Sequence, residues 1–206
     1  MDELNSWGHQ HATDRHRKLL AQEIVDQVFD TVRPQLVGAV QAFLAMPISA
    51  TALHQFELAL VLLVREIGRL VLQASVQMLE PINIHAMPKD LSFQCGGYRR
   101  RSKRTRNKSI ATRFGNIILW RTGYRGWQRG EETIFPLELM LGLVENVSPA
   151  MLDWIGKTIA AAGMSQQATL DAIKQDSGVL MGVKRLRACT EALALAMEPL
   201  RETNQV

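Results

Sequence analysis

The chain has 206 residues, enough for one sizeable domain or two small ones with a hydrophobic core. Its 47% hydrophobic and 21% charged residues are typical of a folded protein and exclude a wholly disordered one. The longest apolar run, Leu58 to Val64, has seven residues, whereas a membrane span needs about 20, so we expect no membrane partner.

The net charge of +4 is distributed very unevenly along the chain. Eleven Lys and Arg residues and no acidic residue lie between Arg99 and Arg129. The rest of the chain therefore holds 13 of the 24 basic residues and all 20 acidic ones, a balance of −7. A segregated charge of this kind creates a directed field and favours a polyanionic partner.

The first ninety residues show the apolar periodicity of helices. Leu20, Ile24 and Val28 recur every fourth residue and predict a first helix with one apolar face. Pro34 is typical of the first turn of a second helix, which Pro47 would end.

A third, longer helix is expected from about Thr51 to Leu79, because its leucines, isoleucine and phenylalanine recur at helical spacing and Pro81 follows. The periodicity of this region indicates a helical core or a self-association surface.

A basic run extends from Arg99 to Lys108, with seven cations in ten residues, five of them arginine. Arginine binds phosphate oxygens with two parallel hydrogen bonds, so such a run supplies affinity for nucleic acid without reading its sequence. The alternatives are a solvated charge run or a docking site for an acidic partner. The cations of the run are Arg99, Arg100, Arg101, Lys103, Arg104, Arg106 and Lys108.

A β-hairpin is expected directly after the basic run. Ser109–Phe114 alternates in polarity and Ile117–Tyr124 is β-branched and aromatic, while Gly115-Asn116 between them is typical of a type II′ turn. Trp120 is expected in the hairpin core. Further cations of the predicted nucleic-acid surface in this region are Arg113, Arg121 and Arg125.

The last third of the chain again predicts helices. Ser148-Pro149 is an N-cap followed by proline at the first helical position, and Gly163 would end that helix. Ser165 can cap a second helix that ends near Gly178, and a third helix would begin after Gly182.

These three helices are compatible with a helix-turn-helix, whose last helix presents side chains to base edges. Lys184, Arg185 and Arg187 at the start of that helix are therefore predicted to contact DNA. The link from Asp176 to Gly182 is longer than the usual three or four residues of this motif.

The sequence shows no catalytic or metal-binding motif. We find no nucleophile elbow, no P-loop and no cysteine–histidine pairing, so we expect no enzymatic activity and no small-molecule substrate. Cys95 has no second ligand at zinc spacing, since His85 is ten residues away, and we expect no metal and no cofactor. Two distant cysteines favour a reducing cytoplasm.

Four phrases in order resemble the N-terminal region of bacterial insertion-sequence transposases of the Kra and Lre types. After the basic run come TRFGNIILWRTGY, IFPLELMLGL and VSPAMLDWI. Further on, GVLMGVKRLRACTEA resembles the opening of the family's second helix-turn-helix helix. The matching positions are Phe114-Gly115, Pro136-Leu137-Glu138, Leu141-Gly142-Leu143, Ser148-Pro149 and Thr190-Glu191.

The resemblance covers about half the chain, from Tyr98 to about Ala192, and implies DNA binding as a recognition region. It also implies a homodimer formed by the N-terminal helices, because transposases commonly pair two DNA ends. Kra-type relatives often carry paired C-x-x-C motifs, of which only Cys95 is present here. The family's catalytic acids belong to a later RNase H-like domain, so this chain is expected to be a non-catalytic front half, either a truncated element or a small protein derived from one.

We therefore predict a mainly α-helical protein with a small basic β-hairpin insert and a helix-turn-helix-like unit of three C-terminal helices. The expected regions are 1–90 (helical), 91–145 (basic hairpin) and 146–206 (helix-turn-helix-like). The expected function is binding of double-stranded DNA in the cytoplasm, associated with the nucleoid. The alternatives are an RNA-binding module, in which Tyr124 and Trp127 stack on unpaired bases, and a helical interaction protein with an acidic partner.

Overall fold

A computed structural model describes residues 2–80, 98–100, 107–126, 133–162 and 165–203, with side chains described for 20–80, 107–124, 133–160 and 165–196. The described chain is mainly helical with short antiparallel strands, which confirms the predicted fold class. It divides into two compact units, Met1–Ser75 and Val76–Val206. Among the described residues, no helix combines the length and the apolar character needed to cross a membrane.

The first unit contains two long helices, α1 (Asp2–Ala45) and most of α2 (Ala50–Gln77). The predicted break at Pro34 is wrong, because α1 continues through this residue. Proline at this position removes one backbone donor, but its φ suits a helix, and Val28 and Val32 are both buried on the stripe that precedes it. Continuing the same helix places Phe43 on the same side as Val28 and Val32, whereas the apolar residues Leu36, Val40 and Leu44 are exposed.

Helix α2 matches the predicted third helix to within two residues at its end. The hydroxyl oxygen of Ser49 accepts a hydrogen bond from the Ala52 backbone N–H at 3.1 Å, which caps the helix start. The rings of Phe43 and Phe56 stack with centroids 4.4 Å apart and join the end of α1 to the start of α2. A connection this short is typical of an antiparallel helical hairpin.

The described residues of the second unit form five short strands in two sheets. Strands β2 (Lys108–Thr112) and β3 (Gly115–Leu119) form the predicted hairpin. A separate three-stranded antiparallel sheet has the order β1-β4-β5. Its strands are β1 (Tyr98–Arg100), β4 (Tyr124–Gly126) and β5 (Thr133–Ile134).

The hairpin turn lies two residues earlier than predicted. Thr112 pairs with Gly115, so Arg113-Phe114 forms the turn and Gly115-Asn116 belongs to β3. The Thr112 hydroxyl donates to the Gly115 carbonyl at 2.6 Å and accepts from the Phe114 N–H at 3.2 Å. Gly115, the first residue of β3, has φ +107°, a conformation that glycine adopts freely. This positive φ lets the chain enter the strand directly after the turn.

The predicted strand Ile117–Tyr124 is interrupted, because side chains from the end of α2 and from the turn after it bind its backbone. Gln77 donates to the Trp120 carbonyl and accepts from the Trp120 N–H, both at 2.7 Å. A carboxylate oxygen of Glu80 accepts from the Thr122 N–H at 2.6 Å. These bonds take the place of a strand partner, and Trp120 is 56% exposed rather than packed in the hairpin core as expected.

The described residues of the second unit also form four helices, namely α3 (Pro136–Met140), α4 (Pro149–Ala162), α5 (Gln166–Ser177) and α6 (Val183–Thr203). The predicted caps at Ser148, Ser165 and Gly178 are confirmed. The two serine hydroxyls accept from backbone N–H groups at 3.3 and 3.2 Å, and Gly178 is left-handed with φ +71°.

Helices α4, α5 and α6 pack around a common core that also includes Ala111 from the hairpin. The helical part of this core is formed by Met151, Ile155, Ile173, Leu186 and Cys189, with Val147 and Val179 from the connecting segments. The hairpin and the three helices therefore share one hydrophobic core. The region boundaries predicted from the sequence at residues 90 and 145 remain predictions.

Candidate nucleic-acid interface

The hairpin is joined to the three-helix unit by backbone hydrogen bonds. The Ala111 N–H donates to the Asn146 carbonyl at 2.9 Å, and the Ser148 N–H donates to the Ala111 carbonyl at 3.0 Å. Strand β2 thus pairs with the segment that leads directly into α4. Because backbone bonds and a shared core act together, the orientation of the hairpin is set by the same residues that begin α4.

Arg185 binds this junction from α6. Its Nε donates to the Glu145 carbonyl at 2.8 Å and its Nη2 donates to the Asn146 carbonyl at 2.5 Å. Glu145 and Asn146 have φ of +52° and +61°, conformations that cost free energy outside glycine, and the arginine stabilises this turn. Burial lowers the pKa of the Arg185 guanidinium, partly offset by Cys189 and Glu145.

Two of the guanidinium nitrogens of Arg185 are therefore bound to protein, and the geometry assigns this residue a positioning role. Its predicted contact with base edges stays a prediction.

Lys184 and Arg187 lie in the first two turns of α6, and both are exposed. They are three residues apart, so they share one face of the helix. The Nε of Arg187 donates to the side-chain oxygen of Gln166 at 3.3 Å, which brings the start of α5 beside this face. Gln166 was not predicted as a site residue from the sequence, although its position directly after the Ser165 cap indicates the first turn of a helix.

Arg113, at the hairpin turn, is bound within the second unit. Its guanidinium lies 2.6 Å from the carboxylate of Asp176 at the end of α5 and 4.5 Å from the ring centroid of Trp154 on α4. A cation held by an acid and an aromatic ring has less to offer a phosphate than an exposed one. The same contacts bring the hairpin turn next to the link between α5 and α6.

Arg121 is also bound within this unit. It forms an ion pair with Glu138 of α3 and lies 3.8 Å from the ring centroid of Phe135. Burial lowers the pKa of this guanidinium, and the nearby Glu80 carboxylate partly offsets that effect. Lys108, at the start of the hairpin, is half-buried.

The strand β1 places the beginning of the basic run in a sheet. Arg99 pairs with Arg125 of β4, and Arg100 pairs with Tyr124. The predicted contact residues Arg101, Lys103, Arg104 and Arg106 lie outside the described residues. For Arg99, Arg100 and Arg125 only the backbone is described.

Neither aromatic residue that was predicted to stack on bases is found exposed among the described residues. Tyr124 is fully buried, so it cannot stack on an unpaired base as the RNA-binding alternative requires. Trp127 lies outside the described residues, as do Cys95 and His85. Phe114 at the hairpin turn and Trp120 are exposed instead, and neither was predicted to be.

The predicted contact residues thus separate into two groups among the six whose side chains are described. Arg113, Arg121 and Arg185 are held by internal partners. Lys184 and Arg187 are exposed, and Lys108 is half-buried.

No protein-family model matches the chain, and neither does any curated protein or solved structure.

Proposed function

We propose that this chain binds double-stranded DNA, with the start of α6 as the element that reads bases. The observation that carries the proposal is the exposure of Lys184 and Arg187 on one face at the start of the third helix of a compact three-helix unit. In helix-turn-helix proteins this position enters the major groove, while the preceding helix crosses the backbone. Arginine there can bind guanine O6 and N7 together.

The bond between Gln166 and Arg187 supports this assignment. It holds the first turn of α5 beside the proposed reading face, and the exposed N–H groups of a helix start are suited to a phosphate oxygen. Phosphate contacts of this kind fix the register of a protein on the duplex, whereas base contacts carry the specificity. The five-residue link 178–182 between α5 and α6 is longer than in the common motif.

A second element of the proposed interface is the basic run with the sheet at its start. The register places Arg99 opposite Arg125, so two basic residues occupy facing positions in this sheet. The run from Arg99 to Lys108 then supplies affinity that is independent of sequence, and the start of α6 supplies discrimination.

The resemblance to insertion-sequence transposases supports a recognition role. On this proposal the chain recognises the end of a mobile element in the cytoplasm, in association with the nucleoid, and performs no catalytic step itself. Segregated cations together with a three-helix unit favour duplex DNA over an acidic protein partner. With Tyr124 buried, the stacking that would favour unpaired RNA loses one of its two aromatic residues.

Fluorescence anisotropy with a selected duplex and a random duplex tests the proposal. A variant combining Lys184→Ala and Arg187→Ala should lose more affinity for the selected duplex than for the random one, by about 1–3 kcal/mol if Arg187 binds a guanine. The matched control combines Lys157→Ala and Lys174→Ala, two exposed lysines on α4 and α5. It removes the same charge and should leave this discrimination unchanged.

The basic run is tested separately by its salt dependence. Replacing Arg100, Arg101, Arg104 and Arg106 with alanine should weaken both duplexes alike, and the slope of log K against log salt should flatten by roughly 0.9 per lost phosphate contact. Equal affinity for duplex DNA and single-stranded RNA at one salt concentration would contradict the proposal. So would affinity for duplex DNA that does not depend on salt.

A further inference from the structure

The apolar run Leu58–Val64 in α2 has no role in the proposed DNA interface. Seven consecutive apolar residues cover about two turns, so every face of the helix is apolar at this level. In the structure Leu58 is 53% exposed and Leu62 is 63% exposed. A helix that is apolar on all sides is normally buried on all sides, and here one side of α2 has no cover.

The first unit buries few apolar side chains for its length. Among its described side chains, residues 20–75, only Val28, Val32 and Ala52 are buried apolar residues, whereas thirteen large apolar side chains are exposed. Summed over both helices, their exposed surface is roughly 1,000 Å², the same order as the share of about 800 Å² that each partner contributes to a standard interface.

The exposed apolar residues on α1 are arranged in a line. Val25, Phe29, Leu36, Val40 and Leu44 are separated by four or seven residues, so they follow one side of the helix over about five turns. A continuous stripe of this length is typical of a helix that packs against another helix. Exposed leucines that serve no contact are scattered singly instead.

We propose that a second copy of this chain covers this surface, so that α1 and α2 of both copies form a four-helix bundle. Each copy presents the same two-helix surface, and a two-fold axis makes such a surface its own partner. The exposed area is what one partner of a stable dimer contributes. Residues 20–77 carry five acidic and three basic side chains, which neither repels a second copy strongly nor attracts nucleic acid.

The mass of the purified, nuclease-treated full chain tests the proposal, measured by light scattering and by sedimentation equilibrium. We expect twice the chain mass of 23.1 kDa at micromolar concentration in the absence of DNA. A variant combining Leu58→Lys and Leu62→Lys should weaken dimerisation at least about 100-fold, because charge replaces two buried leucines in each copy. The matched control combines Leu180→Lys and Leu195→Lys, two exposed leucines of the second unit, and should remain dimeric.

A cross-link keeps the test decisive if the Leu58→Lys and Leu62→Lys variant loses its fold. The chain is prepared with a photo-crosslinking residue in place of Leu62 and mixed with an isotope-labelled copy. Cross-linked peptides that combine both isotopes, with the second peptide from α1 or α2, support the proposal. A chain that stays monomeric overturns the proposal, as does a cross-link to the second unit.

Discussion

The guanidinium of Arg113 and the carboxylate of Asp176 form an ion pair, with a nitrogen–oxygen distance of 2.6 Å, that joins the hairpin turn to the end of α5. Trp154 lies beneath the same guanidinium, at 4.5 Å from the ring centroid. This pair connects three elements that are distant in sequence. It also explains why an arginine in the basic segment contributes to the fold of the second unit.

A double-mutant cycle of Arg113→Ala and Asp176→Ala should give a coupling of about 0.5–1 kcal/mol in the free energy of unfolding, measured with urea. The estimate is modest because both side chains are partly exposed. Arg113→Ala alone should cost more than Asp176→Ala alone, since it also removes the contact with Trp154.

The exposed pair of Arg33 and Asp30, at 3.2 Å, serves as the control for that cycle and should show coupling near zero. Equal coupling in the two cycles would mean that the ion pair at the hairpin turn contributes no more than a surface pair.

Replacing Arg185 should destabilise the second unit. Arg185→Ala removes two charge-assisted hydrogen bonds to the carbonyls of Glu145 and Asn146, and we expect a loss of about 1.5–3 kcal/mol in urea unfolding. Arg187→Ala, two residues away on an exposed face, should change stability by less than about 0.5 kcal/mol. A reversed order of the two losses would show that the two arginines have been assigned the wrong roles.

Alanine substitutions at Gly178 and Gly182 should differ in their effect on the free energy of unfolding. Gly178 is left-handed with φ +71°, so a Cβ there is strained although nothing lies within 4 Å, and Gly178→Ala should cost about 1 kcal/mol. Gly182 is not left-handed, and its surroundings are equally open. Gly182→Ala should be neutral or slightly stabilising in thermal unfolding, because it restricts the unfolded chain. Equal losses at both positions would contradict the assigned backbone conformations.

Stability should fall at alkaline pH through Cys189. Burial raises the pKa of this thiol, Arg185 partly offsets the effect, and Glu145 adds to it. Below about pH 8.5, the ordinary thiol pKa, both folded and unfolded chains keep the proton and nothing changes. Above it the unfolded chain releases the proton while the folded chain retains it, so rising pH favours unfolding.

The measurement compares urea midpoints of the wild type and Cys189→Ala between about pH 7 and about pH 10. The alanine variant leaves a small cavity and should be less stable at neutral pH, and the difference between the two proteins should shrink as the pH rises. A difference that stays constant across this range would show that Cys189 does not titrate differently in the folded chain.

Features that depend on neighbouring residues were predictable from the sequence. Ser148, Ser165 and Gly178 mark helix ends because a capping hydroxyl or a left-handed residue acts on groups two to four positions away. The mainly helical class follows from apolar periodicity, which is a local property as well. A hairpin after the basic run was predicted for the same reason.

Other features depended on contacts across the chain. The hairpin strand ends at Leu119 because Gln77, 43 residues earlier, binds both backbone groups of Trp120. The helix α1 continues through Pro34, and Phe43 beyond the proline lies on the same side as the buried Val28 and Val32. The local rule for proline does not include such contacts. The turn lies at Arg113-Phe114 rather than at the predicted Gly115-Asn116, because the hydroxyl of Thr112 binds the Gly115 carbonyl across it. Gly115 supplies the positive φ from within the strand.

The order of residues in the sequence by itself determined that this chain has a basic segment and a helix with three cations at its start. Which of those cations face outward was decided by the tertiary structure alone. Arg185 and Arg187 are two residues apart, about 200° around the helix axis, so packing of α6 turns one toward the Asn146 carbonyl and leaves the other exposed. The sequence places a charge on a helix, and only the neighbours of that helix decide which way the charge points.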